Sequence, residues 1–353
     1  MLSYAEYRLF VSCIATGAEP WMAALWRWIL LGVGALGLLL GGAILYLGQQ
    51  LEEPAQCWIP PGSRARAAFE QVARCCRLRF PELFVMFAMA YAQLSQKPVL
   101  AGTHRFDSTM CYWELLQALF SGQRLARVRV TIPEGLTLRQ IASLLQRDAG
   151  VDSARFLAFA FSDSFASRWG IPIASLEGYL MPNTYELFWN HPAEDVLERL
   201  LRAQNRLWEE RFAERARQRG LSRHEVLTLA SIIEAESPHP DERRRISGVF
   251  WNRLRHGMPL QADPTTAYAL GKPGKPLSRA ELQTAHPYNT YTTPGLPPGP
   301  INNPGPDAIE AALEPEDHDF LYFVLRRDGS QRHIFSRTYR EHRRAIAAQR
   351  ALL

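Results

Sequence analysis

The most apolar part of the hydrophobic pattern lies close to the N-terminus. Between Trp28 and Gly48 the chain reads WILLGVGALGLLLGGAILYLG, 21 residues without a charged side chain. A helix of that length can cross the hydrocarbon core of a bilayer, whereas a buried helix of a soluble protein normally includes some polar residue. The pattern therefore predicts one transmembrane helix over residues 28–48, preceded by an N-terminal tail over residues 1–27.

The flanks of this segment indicate how it is used. A cleaved signal peptide, with Arg27 in its basic region, is the alternative, but the apolar run is long and lacks a clear small-x-small cleavage site. We therefore expect a retained anchor. Arg8 and Arg27 precede the span, and Glu52 and Glu53 follow it, which favours a cytoplasmic N-terminus. Met22, followed by AALWRW, is a candidate start of the native chain.

Residues 51–125 carry a mixed pattern. The stretch FEQVARCCRLRFPELFVMFAMAYAQL is typical of two helices interrupted at Pro81. VLAGTHRF then predicts a short strand, and the helix after it is expected to have Asp107 or Ser108 as its N-cap and to end at Gly122. This order of elements predicts a small α+β module.

A second set of elements follows. RVRVTI alternates like a strand, Pro133–Gly135 forms a turn, and Thr137 is placed to cap a helix. Near the C-terminus, FLYFVLRRDGSQRHIFS predicts a β-hairpin that turns at Asp328-Gly329. A basic helix, Tyr339–Leu353, closes the chain.

The strongest helical pattern carries two acids near its end. Ser222 and Glu225 form a capping box, so the helix is predicted to start at residue 223. At about 100° per residue, Glu234 falls beside Ala230 on an apolar face, and Glu236 falls about 160° away from Glu234. Acids that far apart do not form the facing pair of a retaining glycosidase.

This geometry leaves Glu234 as a single candidate acid. Its apolar setting is expected to raise its pKa through desolvation. Glu236, close to the helix end, is expected to meet water. For both residues a plain surface role is the alternative.

The next stretch is rich in polar side chains and prolines. Asp241 and Glu242 favour the start of another helix through its dipole, and Gly257 ends it. A proline turn is then predicted to hold Gln261, Asp263 and Thr265. The rigid GLPPGP segment, residues 295–300, is expected to shape a cleft, and a simple linker is the alternative.

A loop that combines an acid with aromatic residues, residues 177–185, precedes the helix predicted to start at residue 223. In EGYLMPNTY, Glu177 leads and the side chains of Tyr179 and Tyr185 bracket a proline. Aromatic faces stack on sugar rings and carboxylates accept sugar hydroxyls, so the loop suits a carbohydrate. A turn packed by two tyrosines explains the same pattern.

Composition narrows the candidate partners. With 353 residues, 47% of them hydrophobic, the chain can build more than one core. Its net charge of +5 comes from dispersed basic residues without a nucleic-acid-binding signature, so we expect no nucleic-acid partner. The five cysteines show no CxxC pair, which argues against zinc. We predict buried free thiols; a disulfide from Cys75 or Cys76 to Cys57 or Cys111 is the alternative in an oxidising compartment.

Several of these stretches, in this order, resemble one known family. They are PEG, EGYLMPNTY, LASIIEAES, ERRRISGVFWNRLRHGMPLQADPT, YNTYTTPGLPPGPINNPG, and LYFVLRRDGS with HIFS. On these motifs the chain is identified as a member of the endolytic murein transglycosylase, or YceG-like, family. The resemblance implies an α+β fold in which the transmembrane helix is followed by a LysM-like glycan-binding subdomain over residues 51–125. A mixed α/β catalytic domain over residues 126–345 and a helix end over residues 346–353 complete it.

The resemblance also implies an activity. The family cleaves the MurNAc–GlcNAc β-1,4 bond of nascent peptidoglycan strands without water and leaves a 1,6-anhydro-MurNAc end, which terminates glycan elongation. We therefore expect a lyase without cofactor or metal, anchored in the cell inner membrane with its catalytic domain in the periplasm. Its expected partners are glycan strands, the membrane and the penicillin-binding proteins of cell-wall synthesis.

The family's motifs assign roles to individual residues. Glu234 corresponds to the catalytic acid, which protonates the leaving oxygen and then removes the proton of the MurNAc 6-hydroxyl. The positions expected to line the glycan cleft are Glu177, Tyr179, Glu236, Asn252, Gln261, Asp263, Thr265, Asn289 and Tyr291. The chain departs from the family pattern at Asn183, where Asp is frequent, and at Ala235, where Lys is frequent. Loss of that cation is expected to raise the pKa of the neighbouring acid.

Two other functions fit the same residues. A hydrolytic muramidase would use Asp263 to position water. A membrane-anchored peptidoglycan-binding scaffold would use Glu234 only structurally. The three functions differ in their product: anhydro ends for the transglycosylase, reducing ends for the muramidase, and binding without cleavage for the scaffold.

Overall fold

The computed structural model describes residues 20–60, 62–122 and 124–351, so residues 1–19 of the predicted tail lie outside the described residues. The described chain divides into two compact units, one ending at Ala126 and one beginning at Arg127. Helices dominate both units, and each contains two-stranded antiparallel sheets. The α+β class predicted from the sequence is confirmed.

The first helix, α1 (Pro20–Leu47), contains the predicted span. Its segment Arg27–Leu47 is long and apolar enough to cross a membrane, and large apolar side chains such as Leu38 are exposed along it. The helix begins before residue 28 because Pro20 suits a first helical turn and no breaker follows it. By length and composition, a membrane anchor or a signal sequence would both look like this.

The first unit combines a two-stranded sheet with three further helices. Strands β1 (Ala55–Ile59) and β2 (Gly102–Phe106) pair antiparallel along their whole length. The helices are α2 (Ala65–Cys75), α3 (Pro81–Ser95) and α4 (Tyr112–Ser121). A core of fully buried side chains joins them, including Phe69, Phe84, Phe106 and Leu115. The predicted interruption at Pro81 and the helix end at Gly122 are confirmed.

The predicted start of α4 is wrong. Neither Asp107 nor Ser108 is its N-cap, because the Asp107 carbonyl accepts the Met110 N–H at 3.0 Å in a separate turn. The helix begins after Cys111, whose N–H donates to the Glu114 carboxylate at 3.0 Å. A carboxylate at the third helical position does the capping that a Ser or Asp was expected to do.

The cysteine prediction is also corrected. Cys57 of β1 and Cys75 of α2 form a disulfide, with their Cα atoms 6.0 Å apart, so the alternative pairing holds in place of the expected free thiols. Cys76 and Cys111 remain free. The Cys76 sulfur lies 3.7 Å from that of Cys57, but burial raises the pKa of the Cys76 thiol to about 12, which keeps it unreactive.

The second unit holds the remaining sheets and helices. Strands β3 (Arg127–Ile132) and β4 (Asn183–Phe188) pair antiparallel, as do β5 (Tyr322–Leu325) and β6 (His333–Ser336). Its helices are α5 (Leu138–Ala149), α6 (Ser153–Ala160), α7 (Asp163–Arg168), α8 (Ala193–Leu207), α9 (Ala213–Gln218), α10 (Arg223–Glu236), α11 (Pro240–Arg255), α12 (Asp263–Ala269), α13 (Pro306–Leu313) and α14 (Tyr339–Arg350).

Helix α10 is the central helix of this unit. Every residue from Val226 to Ile233 is buried, and the helix packs on α11, α12 and α13. Its two interior hydroxyls are satisfied locally, because Thr228 donates to the His224 carbonyl at 2.7 Å and Ser231 donates to the Thr228 carbonyl at 2.8 Å. The two acids at its C-terminal end are therefore held by a rigid, fully packed element.

Local signals in the sequence place most boundaries of this unit. The Ser222–Glu225 capping box and the Thr137 cap are confirmed, as is the hairpin turn, where Gly329 has φ +78°. The predicted proline turn at Gln261–Thr265 is wrong from Asp263 onward. Pro264 there begins helix α12, because its fixed φ suits a first helical turn.

Candidate active site

Glu234 lies in the last turn of α10, and its side chain is only 7% exposed. Its carboxylate accepts the backbone N–H of Gly305 at 3.0 Å and the guanidinium of Arg243, which stands in the first half of α11. Gly305 is the N-cap of α13, where unpaired helical N–H groups favour a negative charge. Two helix ends and a buried arginine thus fix this carboxyl group.

A second carboxylate shares the same arginine. Glu134, in the turn between β3 and α5, lies 3.5 Å from the Arg243 guanidinium and is 41% exposed. Two glycines pack closely against the carboxylates of Glu134 and Glu234. A Cβ on Gly305 would lie about 2 Å from the Glu134 carboxylate, and Gly135, with φ +77°, leaves 3.4 Å between its would-be Cβ and the Glu234 side chain. The turn therefore lies directly against the acid.

The pKa of Glu234 is raised above its ordinary value. Burial is the main cause, and the nearby carboxylates Glu134 and Asp307 add to it. The charge of Arg243 and the Gly305 N–H act in the opposite direction without cancelling it. A carboxyl group with a raised pKa keeps a larger protonated fraction at neutral pH, as a general acid requires.

Glu236 faces a different group of side chains, as the helical rotation predicts. It interacts with Asp263, whose like charge adds to burial in raising the pKa of Glu236 to about 8, and with Arg253, which opposes that shift. Asp263 is exposed and accepts the Tyr291 hydroxyl at 2.5 Å. Glu236 is partly exposed, so the expectation that it meets water holds in part, although its carboxyl group also lies near Asp263 and Arg253.

A cavity of about 300 Å³ lies beside the last turn of α10. Ala235, between Glu234 and Glu236 in the chain, forms part of its wall, with Gly135 and Asp263. The remaining lining residues are Thr137, Gln140, Pro264, Ala267, Tyr268, Pro273, Gly274, Lys275, Ile301 and Asn302. Since Gly135 touches Glu234, a ligand in this cavity comes close to the acid.

Glu177 is buried and its carboxylate is fully engaged. One oxygen accepts the Leu138 N–H at 3.0 Å and the Asn303 amide at 3.0 Å. The other accepts the Tyr268 hydroxyl at 3.3 Å, and burial raises the pKa of Glu177 to about 8. This acid thereby links three segments: α5, α12 and the loop that precedes α13. It holds the walls of the cleft in place.

Three predicted cleft residues are interior and bonded to protein. The Asn252 amide donates to the His318 and Phe320 carbonyls, and the Thr265 hydroxyl donates to the Ala262 carbonyl. The Asn289 amide donates to two backbone carbonyls and its oxygen accepts the Thr266 hydroxyl. Direct contact with a ligand is therefore revised to a supporting role for Asn252, Thr265 and Asn289.

Tyr179 is likewise buried, which favours the packed-turn alternative for its loop. Its hydroxyl bonds the His224 ring at 2.8 Å and the Arg223 guanidinium lies 5.2 Å from its ring centre. Gln261 is exposed and has φ +49°, and its N–H donates to the Thr290 carbonyl at 3.1 Å. Of the predicted residues, the structure brings Glu236, Asp263 and Tyr291 together beside the cavity.

Sequence reasoning missed the partners of Glu234. Glu134, Arg243 and Gly305 all lie inside quoted motifs, in PEG, ERRRIS and NNPG, but nothing in helical periodicity connects segments so distant in the chain. A glycine at a helix N-cap and an arginine one turn into α11 were the available signals. Among the residues that the structure describes, no group of three or more His, Cys, Asp or Glu side chains is placed to hold a metal ion.

Comparison with known proteins identifies a family. The model of the YceG-like family matches residues 57–348. The endolytic murein transglycosylase of Bacillus subtilis is 31% identical over 333 residues, which cover 87% of this chain and 90% of that protein. Its counterpart in Streptococcus pneumoniae serotype 2 is 30% identical over 75% of this chain, and the match spans 53% of that longer relative. A crystal structure of a YceG-like protein from Listeria monocytogenes is similar with a TM-score of 0.58 at 29% identity, covering 84% of this chain and 100% of that one.

Proposed function

This chain belongs to the YceG-like family, and we propose that it is an endolytic lytic transglycosylase that cleaves the MurNAc–GlcNAc β-1,4 bond of nascent peptidoglycan. The observation that carries the proposal is the buried carboxyl group of Glu234, whose pKa is raised and which stands between Arg243 and the Gly305 N–H close to a cavity. The names of the relatives support the substrate and the reaction.

In the first step Glu234 acts as the acid. Its proton passes to the glycosidic oxygen as the bond from that oxygen to C1 of MurNAc breaks, and the GlcNAc hydroxyl leaves. The carboxylate that results is stabilised by the Arg243 guanidinium and the Gly305 N–H, which already donate to it. The developing charge at C1 faces this carboxylate.

In the second step the same carboxylate acts as the base. It removes the proton of the MurNAc 6-hydroxyl while that oxygen bonds to C1, which forms the 1,6-anhydro ring and restores protonated Glu234. No water enters the product, and no second carboxylate is required. Glu236, on another side of α10, binds glycan hydroxyls together with Asp263 of α12 and Tyr291.

We further propose a place for the reaction in the cell. Helix α1 anchors the chain in the inner membrane, with the N-terminus in the cytoplasm and the chain after residue 48 in the periplasm. The Cys57–Cys75 disulfide supports this side, because disulfides persist in oxidising compartments. The first unit acts as a LysM-like glycan-binding module, and penicillin-binding proteins supply nascent strands that this enzyme terminates.

One observation favours a second candidate. Asp263 is exposed and lines the cavity, where a carboxylate could position water for hydrolysis by an inverting route. A hydrolytic muramidase would therefore depend on Asp263 as strongly as on Glu234. A peptidoglycan-binding scaffold without catalysis would depend on neither residue.

Variants of these two acids test the proposal. The full-length chain in detergent is incubated with uncrosslinked glycan strands, and the new ends are identified by mass. We expect anhydro ends whose formation falls roughly a thousandfold in Glu234→Gln and only severalfold in Asp263→Asn. Reducing ends whose formation falls equally in both variants would support hydrolysis. Glycan that is bound by the chain but not cleaved would support the scaffold function.

A further inference from the structure

A second cavity adjoins the one beside Glu234. It measures about 580 Å³ and shares four wall residues with the first: Thr137, Gln140, Tyr268 and Pro273. Both cavities lie within the second unit. The shared residues show that the two cavities are adjacent, so a long ligand bound in the first extends toward the second.

Aromatic rings form one side of this second cavity. Tyr268 and Tyr288 have their ring centres 5.2 Å apart, and His286 continues the row at 5.9 Å from Tyr288. The buried Glu177 carboxylate holds the Tyr268 hydroxyl at 3.3 Å, so this wall is fixed by the same acid that fixes the start of α5.

The cavity also contains an exposed aromatic ring. Phe161 is 38% exposed, and the Arg139 guanidinium lies 5.5 Å from its ring centre. Large apolar side chains at the surface of a cleft mark a binding site when they are continuous with one. The polar groups of Arg139, Gln140 and Ser175 stand among these rings.

We propose that this cavity is a distal glycan subsite, which binds a saccharide ring of the strand away from the scissile bond. The proposal rests on the glycan cleavage proposed above. The C–H faces of a pyranose ring stack on Phe161 and the tyrosines, while its hydroxyl and acetamido groups bond Gln140, Ser175 and Arg139. Adjacency to the first cavity favours the strand itself over its peptide stems as the occupant.

A distal subsite makes affinity depend on strand length. A disaccharide fills the first cavity alone, whereas a longer strand also reaches the second and gains the stacking contacts. The enzyme thereby favours the interior of long strands, and the distance between the two cavities sets the shortest strand that it binds well.

The test measures binding of peptide-free glycan oligomers to the full-length chain in detergent. Both a disaccharide and an octasaccharide are titrated into a Glu234→Gln background, which prevents turnover. In the Phe161→Ala variant, we expect the ratio of octasaccharide to disaccharide affinity to fall about two- to tenfold, the range of one aromatic contact. The control Tyr339→Ala removes a ring that is 61% exposed at the start of α14 and should keep the ratio unchanged.

Each outcome decides the proposal. An unchanged ratio in Phe161→Ala overturns the subsite. The titration is repeated with octasaccharides that carry peptide stems, and a loss of affinity seen only with them also overturns the subsite, because it assigns the cavity to the peptide. The separate assay for anhydro ends reports on the proposed function. If wild-type chain forms no anhydro ends while the ratio still falls, the cleavage proposal fails and the subsite stands.

Discussion

Glu234 and Glu236 stand two positions apart on one helix, yet they face different surroundings. Glu234 lies against a guanidinium, a helix N-terminus and a glycine turn, whereas Glu236 lies near Asp263 and Arg253. Helical rotation alone separates the two acids, so the sequence was sufficient to reject a facing pair. The neighbours that tune each acid come from other segments.

Glu134 is expected to tune the acid. Its negative charge raises the pKa of Glu234, so Glu134→Gln removes that effect and lowers the pKa. Activity needs the protonated acid and is lost as pH rises through this pKa. The alkaline limb of the pH–rate profile therefore moves to lower pH in Glu134→Gln, measured from initial rates of anhydro-end formation.

The exposed Glu210 provides a matched control for this shift. Glu210→Gln removes the same charge from the surface of the unit and should leave the profile in place. A limb that stays where it is in Glu134→Gln, or moves to higher pH, contradicts the assigned electrostatic role.

At the scale of elements, local chemistry set most boundaries. The Ser222 and Thr137 caps and the Asp328-Gly329 turn act within a few residues, so the sequence reveals them. The start of α4 is also local, but it depends on the Glu114 carboxylate that accepts the Cys111 N–H. Helix α12 begins where Pro264 suits a first helical turn, and inside it Thr265 bonds Thr290, a contact that periodicity does not show.

Helix α11 carries a tight contact that predicts a stability change. A Cβ on Gly248 would lie 2.5 Å from the Glu316 carbonyl oxygen and 2.6 Å from the His318 ring. Alanine gains up to about 1 kcal/mol of helix propensity over glycine, but a clash with backbone costs about 1–3 kcal/mol. We expect Gly248→Ala to lower the free energy of unfolding, measured by urea titration. A variant as stable as wild type would contradict this prediction and would show that the segment holding Glu316 and His318 moves away at no cost in free energy.

At the scale of the whole molecule, the candidate active site is assembled from distant parts of the chain. Residue 134 precedes α5, Glu234 lies in the last turn of α10, residue 243 lies in α11 and residue 305 caps α13. The family motifs indicate these segments, and the helical pattern indicates Glu234 as the candidate acid. The segments meet because α10 packs between its neighbouring helices, and the periodicity of one helix does not predict that packing.

The disulfide gives a prediction for the first unit. Cys57 and Cys75 are 18 positions apart, and closing a loop of that size stabilises a fold by about 3 kcal/mol. Cys75→Ser should therefore speed the labelling of the buried Cys76 thiol in the full-length chain, since labelling requires opening of that unit.

Cys111→Ser is the matched control, because that thiol is free, and labelling of Cys76 should keep the wild-type rate. Equal labelling rates in Cys75→Ser and wild type would contradict a stabilising disulfide. So would four reactive thiols among Cys57, Cys75, Cys76 and Cys111 in the unreduced, denatured chain.

The most direct test of single-acid catalysis is cleavage in water enriched in oxygen-18. The full-length chain digests uncrosslinked glycan strands, and the mass of each new MurNAc end is measured. Because Glu234 delivers the 6-hydroxyl of the same sugar to C1, the account predicts 1,6-anhydro ends without the heavy isotope. Reducing ends that carry oxygen-18 would show that water attacks C1 and would contradict the account.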